Sequence, residues 1–225
     1  MILLGSLVNA GAIVVGGLVG MFAGKLLPER LRTSVMAALS LMTIGIAVPG
    51  LLKSNNALTP IISMVVGTLI GELLDIDSAV NKLGEKLQKR FSGSRVTEGF
   101  VTGSLVFAVG ALAVMGPLES GLQHQHSLLF SKSVIDGVAS IVFASTMGLG
   151  VALSGITVFV VEGSIALLAS VVAPYLGEAV VNEITFVGSL LIVGISLNLL
   201  GVTKLRILNM VPAILMPILL CRFMG

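Results

Sequence analysis

At 225 residues, with 56% hydrophobic and 11% charged residues and a mean hydropathy of +1.10, this chain lacks the surface of a water-soluble domain, which carries about 25% charged residues. A net charge of +2 is too small to mark a partner of nucleic acid, and the lone Cys221 excludes an intramolecular disulfide and disfavours thiol chemistry. What remains is an all-α polytopic membrane protein, because the apolar runs are continuous rather than alternating over segments of about 10 residues, as in a membrane barrel.

Spans are expected at residues 4–24, 33–52, 58–75, 99–118, 132–149, 153–173, 184–202 and 207–223. The first has neither a charged leader nor a cleavage site, so it is expected to stay as a span. The fifth and sixth are joined by the small, glycine-rich stretch 144–155, which reads either as a tight hairpin or as a helix broken at membrane depth, so the count is seven or eight. Pro49, Pro117, Pro212 and Pro217 are expected to kink or end spans, since each removes a backbone donor.

With the N-terminus outside, the inner loops hold Lys25, Arg30, Arg32, Lys82, Lys86, Lys89, Arg90, Arg95, Lys204 and Arg206. The outer loops hold only Lys53, Lys132 and Arg222. The positive-inside rule therefore predicts both termini outside the cytoplasm. In the inner loop 76–98, Ile76, Val80, Leu83, Leu87 and Phe91 fall on one helical face, opposite Lys82, Lys86, Lys89 and Arg90. Asp75 and Asp77 at its start suit a helix N-terminus. This predicts an amphipathic helix on the inner leaflet, with an ordinary basic connector as the plainer alternative.

Gly5-Ser6-Leu7-Val8 recurs as Gly103-Ser104-Leu105-Val106, and Val65-Val66-Gly67-Thr68 resembles Val160-Val161-Glu162-Gly163-Ser164 at a similar offset. The pattern suggests one transmembrane domain built from three-helix repeats, 1–75 and 99–173, of opposite orientation, followed by a terminal pair at 184–223. Short apolar quartets also recur by chance; Gly188-Ser189-Leu190-Leu191 is a third near match.

Gly16, Gly20 and Gly24 in the first span, Gly67 and Gly71 in the third, and Gly99 and Gly103 in the fourth recur at four-residue intervals. Small residues so spaced let helix backbones approach in lipid, so packing is the favoured reading. The ionisable residues within spans say more, because a charge in the bilayer is costly and faces a partner or a cavity. Asp136 lies four residues after Lys132, on the same face, with Ser133, Gly137 and Ser140 around it. Glu162 has no basic residue in its own span; a proton or a bound cation would make it neutral. For each carboxyl the plain alternative is structural: a helix-end ion pair for Asp136, a neutral interhelical bridge for Glu162. Asn9 and Asn198 are further polar candidates that also serve well as interhelical hydrogen-bonding residues. Glu72 and Asp75 read as interface residues, and Glu119, His124 and His126 do not by spacing alone make a metal site.

The sequence has no phosphate-binding glycine loop, no His-Glu-x-x-His motif, no nucleophile elbow, no arginine-rich span and no potassium-filter signature. No cofactor or metal is expected.

Several segments together resemble the bacterial membrane proteins of domain-of-unknown-function family 554. They are Leu7–Gly20 followed by Leu27-Pro28-Glu29-Arg30, then Leu69–Ile76, then Lys132–Val151, and finally Gly194–Gly201 with Asn209-Met210-Val211-Pro212-Ala213 beyond. The likeness covers essentially the whole chain and implies a multi-span inner-membrane protein of a kind sometimes labelled a transporter, without a substrate. Glu162 stands where that pattern often carries Gln, which weakens an obligatory proton-carrier role, and Ser120-Gly121-Leu122 departs from it after Glu119.

The leading expectation is a secondary transporter or permeation protein for a small solute or ion, not an enzyme. Its site would hold Asp136, Lys132, Ser140 and Glu162, with Asn9 and Asn198 orienting the ligand and the stretch 144–155 offering backbone groups. A homo-oligomer in contact with membrane lipids is expected. The alternative is a non-transporting scaffold or assembly protein whose buried polar residues serve packing, and a lipid-modifying enzyme ranks last.

Overall fold

The computed structural model describes residues 1–24, 26, 28–54, 56–79, 82 and 95–224. The main helices are α1 (Leu4–Gly24), α2 (Glu29–Leu51), α3 (Leu58–Leu74), α4 (Val96–Ala108), α5 (Ala111–Gln123), α6 (Ser127–Met147) and α7 (Leu149–Leu167). There follow a short α8 (Ala169–Val172), the long α9 (Glu178–Leu199), and α10 (Ile207–Met210) joined through a 3-10 turn to α11 (Met216–Met224). No strand occurs among the described residues.

Five helices are long and apolar enough to cross a bilayer: α1, α2 from Thr33, α6, α7 and α9. The pair α4 and α5, bent by 60°, makes a sixth if it is counted as one broken span. Leu58–Leu74 and Ile207–Cys221 are shorter apolar helices. All eight apolar stretches of the sequence are thus helical, with differences in detail. The fourth is not a continuous span over 99–118. It breaks at Gly110, whose φ of +118° no helix accommodates and few residues but glycine adopt; Pro117 lies inside α5 without ending it. The fifth begins at Ser127 rather than 132, so Lys132 lies inside a helix, 5% exposed, and not in an outer loop. The stretch 144–155 takes the hairpin form, with Gly148 at φ +71° between α6 and α7. The apolar face through Val80, Leu83, Leu87 and Phe91 of the expected amphipathic helix lies outside the described residues.

The chain divides into two compact units. The first comprises Met1–Met36, Gly84–Ala108 and Leu112–Ala173; the second comprises Ala37–Leu83, Val109–Ala111 and Pro174–Gly225. The expected repeat 1–75 is divided between the units, whereas 99–173 lies in the first unit apart from Val109–Ala111.

In the first unit α1 is the central element. A Cβ added at Gly16, Gly20 or Gly24 would meet the backbone oxygen of Gly137, Ile141 or Ser145 of α6. The paired numbers rise together, so α1 and α6 run parallel with their backbones in contact. Against α7 the numbers run oppositely: Gly17 meets Ala152, and Gly155 meets Ala10. The chain therefore reverses at Gly148. Helix α4 runs alongside α7 in the same direction, with Gly150 against Val96 and Gly103 against Ser154. The opposite face of α6, through Val134, Ile135, Val138 and Val142, is exposed and apolar, as suits lipid contact.

In the second unit α3 packs antiparallel to the 207–221 segment, with Gly67 against Ala213 and Gly71 against the Asn209 carbonyl. Asp75, in the left-handed conformation at φ 48°, ends α3 by donating its N–H to Glu72 and Gly71 oxygens. Arg206 then ties this end together by bonding Glu72 at 2.8 Å and pairing with Asp75.

A side chain on the α1–α6 seam must force two backbones apart. Gly20→Leu is expected to cost at least about 1–3 kcal/mol, the range for overpacking. Gly11→Ala, which meets nothing within 4 Å, is expected to leave the detergent melting temperature unchanged. Equal melting temperatures for the two variants would contradict the seam.

Candidate functional site

Four side chains from three helices of the first unit converge where the glycine seam lets α1 approach α6 and α7. Asn9 lies five residues into α1, Lys132 five residues into α6, and Glu162 five residues before the end of α7. At 1.5 Å per residue this level is about 7.5 Å inside the helix ends. Glu162 is therefore nearer one end of its helix than the middle expected from a span of 153–173. The antiparallel hairpin of α6 and α7 brings residues thirty positions apart to one depth.

The Asn9 amide nitrogen donates to both carboxylates, at 3.1 Å to Asp136 Oδ2 and 2.9 Å to Glu162 Oε1. Only this orientation of the amide is chemically sensible, because the flipped form would set its carbonyl oxygen against two carboxylate oxygens. Lys132 Nζ pairs with Asp136 on its own helix and lies 3.3 Å from Glu162 Oε1. Its third acceptor is the carbonyl oxygen of Phe107, at 2.7 Å. The ammonium thus faces three acceptors, which matches its three N–H donors.

The Phe107 carbonyl is available because α4 stops at Ala108. The last four carbonyls of a helix have no intrahelical partner, and the C-terminal end carries partial negative charge. The break at Gly110 thereby supplies an acceptor for Lys132. Exposed backbone in this region comes from the end of α4, not from 144–155, which forms the turn at the far end of α6.

The cluster is closed to water. Asn9 and Glu162 are fully buried, and Asp136 is 7% exposed. With every group ionised it holds one positive and two negative charges. Glu162 Oε2 and Asn9 Oδ1 have no hydrogen-bond partner among the described residues, and neither has Ser6 Oγ one turn before Asn9.

Of the residues singled out from sequence, Asn9, Lys132, Asp136 and Glu162 come together. Ser140 does not join the ion cluster: its hydroxyl donates to Gly137 O at 2.8 Å, within its own helix. Asn198 lies in the second unit. There its amide nitrogen donates to Leu205 O at 2.8 Å, and its oxygen accepts from Thr203 Oγ1 and the Leu205 N–H. It holds the turn after α9. His126 is engaged with Ser120, whose hydroxyl donates to Ile2 O. Sequence reading missed the Lys132–Glu162 pairing, the Phe107 carbonyl and Ser6. The Lys132–Glu162 pair joins two helices through tertiary packing, the carbonyl has no residue-type signature, and the only local sign of the helix break is Gly110 inside an apolar run. A further buried acid, Glu183, lies in the second unit with the Ser54 hydroxyl 2.9 Å from both its oxygens.

Residues 4–222 match the family model described as "Protein of unknown function (DUF554)". Over 217 residues, 95% of this chain and 93% of the relative, the chain is 31% identical to "Uncharacterized membrane protein YdfK" of Bacillus subtilis (strain 168). Over 220 residues, 95% of this chain and 94% of the relative, it is 26% identical to "Uncharacterized protein YqgA" of Escherichia coli (strain K12). No solved structure matches.

Charge counting orders the variants of the cluster. Lys132→Met leaves two buried carboxylates without a cation, and breaking a buried pair in this way costs about 3–5 kcal/mol. Asp136→Asn and Glu162→Gln each leave one cation facing one anion, and each is expected to cost less than Lys132→Met. Detergent unfolding of the three purified variants checks the order, and a Lys132→Met protein as stable as the other two would refute this account of the cluster.

Proposed function

The chain belongs to the DUF554 family of proteins of unknown function, and we propose that this membrane protein is a secondary transporter or permeation protein for a small solute or ion in the bacterial inner membrane. The observation that carries this reading is the buried, unevenly charged cluster of Lys132, Asp136, Glu162 and Asn9. A pair serving packing alone is best closed and neutral. Here one carboxylate is in excess and two buried oxygens lack partners, which leaves the cluster able to take and release something.

The supporting features are architectural. A helix broken at membrane depth, with its freed carbonyl turned to a charged group, is the way transporters expose backbone to a site. Helices α1 and α4 share Gly-Ser-Leu-Val and run in opposite directions, which supports inverted repeats. Lys132 lies inside α6 and no longer counts as a basic residue of an outer loop. The orientation with both termini outside the cytoplasm is correspondingly better supported. The cluster lacks a nucleophile paired with a base, so the reading is of a carrier and not an enzyme. Membrane lipids surround it, and its exposed apolar faces leave room for a second copy of the chain.

A thermal-shift screen of cations, anions, amino acids and organic acids, run on the wild type and on Asp136→Asn, tests the site. A ligand at 100 times its Kd adds about 2.7 kcal/mol of stability. A stabilising ligand is expected for the wild type, and its effect should vanish in a variant that remains folded. If nothing stabilises the wild type and Asp136→Asn cannot be purified as a folded protein, the residue serves packing and the scaffold reading replaces this one. For orientation, a C-terminal alkaline phosphatase fusion is expected to be active, and an inactive fusion beside a fluorescent cytoplasmic reporter would invert the topology.

A further inference from the structure

The chemistry of the unpartnered atoms narrows what the cluster takes, an inference that rests on reading it as a transport site. The ammonium of Lys132 donates to Phe107 O and Asp136 and lies in ion-pair contact with Glu162. The Asn9 amide nitrogen is shared between the two carboxylates. No side-chain N–H of these residues is left for an anion. The orphaned atoms are all oxygens: Glu162 Oε2, Asn9 Oδ1 and Ser6 Oγ, on residues with no exposed surface. Ser6 and Asn9, three residues apart, share a face of α1. The first two of these oxygens only accept when Glu162 is ionised.

Charge points the same way. One ammonium and two carboxylates leave a single surplus negative charge out of water. Such a charge is not tolerated alone in a low-dielectric interior and is neutralised by a proton or a counter-ion. A divalent ion would overshoot, leaving one positive charge in excess beside Lys132.

We propose that the Lys132–Asp136–Glu162–Asn9 cluster binds one monovalent positive charge at Glu162 Oε2, either a proton or an alkali cation, and excludes anions. Binding a proton from solvent forms one O–H bond at Oε2 and makes the carboxyl neutral, and release, once water reaches the cluster, breaks that bond and returns the proton to solvent. An alkali cation takes the same position by coordination to oxygen. Lys132 remains charged throughout and sets the capacity of the site at one. Removing Lys132 raises that capacity to two, whereas removing either carboxyl lowers it to zero.

The charged groups acting on Glu162 are Lys132 and Asp136. Other titratable groups on or beside packed elements are the N-terminal amine ahead of α1, Arg95 and Glu98 at the start of α4, Glu119 on α5, and His124 and His126 ahead of α6. Comparison with Glu162→Gln cancels their contribution. That variant keeps the shape and leaves Lys132 paired with Asp136, so it is expected to fold.

The experiment is a proton-uptake titration of the detergent-purified protein, first in choline chloride and then with lithium, sodium or potassium chloride added. The wild type is expected to take up one more proton per chain than Glu162→Gln between alkaline and acidic buffer, with a protonated-carboxyl infrared band absent from the variant. If an alkali chloride displaces that proton, the site takes the metal cation; if none does, it takes the proton alone. Either outcome supports the proposal. Identical uptake by wild type and Glu162→Gln without any alkali-cation effect would overturn it, as would binding of phosphate or a carboxylate that requires Lys132. Vesicle flux is measured separately: proton uptake without flux would remove only the transport reading, and flux without this uptake would remove only the present inference.

Discussion

One lysine facing two carboxylates inside a helical membrane protein is the constraint around which the first unit is arranged. An ammonium and a carboxylate on one helix at an i, i+4 spacing would form a neutral pair with little demand on the rest of the fold. Glu162 changes that balance, since it arrives from another helix, brings a second negative charge and has no exposed surface. Three features hold it there. The lysine is shared between the acids, the Asn9 amide bridges them, and the end of α4 places a carbonyl on the remaining face of the ammonium. Removing any of the three leaves a buried ion short of a partner.

Packing and chemistry are coupled through α1. Asn9 reaches both acids because glycines along α1 bring its backbone against α6 and α7, and lipid provides no hydrophobic drive for such an approach. Along this seam Gly16, Gly20 and Gly24 set the backbone of α1 against that of α6. Serine and threonine hydroxyls along it mostly bond within their own helix: Ser133 to Leu129 O, Ser140 to Gly137 O and Ser154 to Val151 O. The polar character of these helices is therefore mostly satisfied locally, and the ion cluster stands out as the polar feature that depends on the assembly of several helices.

Much of this was legible in the sequence, for physical reasons that also mark the limits. Apolar runs of span length reveal membrane helices because lipid enforces them, and intramembrane charges are informative because burying them is costly. Asp136 and Glu162 were found in this way, Lys132 as the i−4 neighbour of Asp136, and Asn9 as an amide inside a span. The Lys132–Asp136 pair was legible from its i, i+4 spacing, whereas the Lys132–Glu162 pair was not, since it depends on the turn at Gly148 and on the antiparallel packing it sets. The glycine-rich stretch 144–155 and Gly110 within 99–118 look alike in sequence, yet the first makes a hairpin and the second breaks a span. Composition does not distinguish these outcomes, because glycine permits either and the surrounding helices decide. Asn198 shows the converse limit: an asparagine near the end of a span was equally suited to a site and to a turn, and its three local hydrogen bonds place it in the turn.

On the proposed reading, the surplus negative charge of this cluster is neutralised by an exchangeable monovalent cation that the protein carries across the membrane. Current recorded from reconstituted vesicles on a solid support, after a rapid jump in pH or alkali-cation concentration, tests this most directly. A charge displacement is expected in wild-type vesicles and is expected to be lost in Glu162→Gln vesicles of equal protein content. Responses indistinguishable between the two, or none from either, would contradict it.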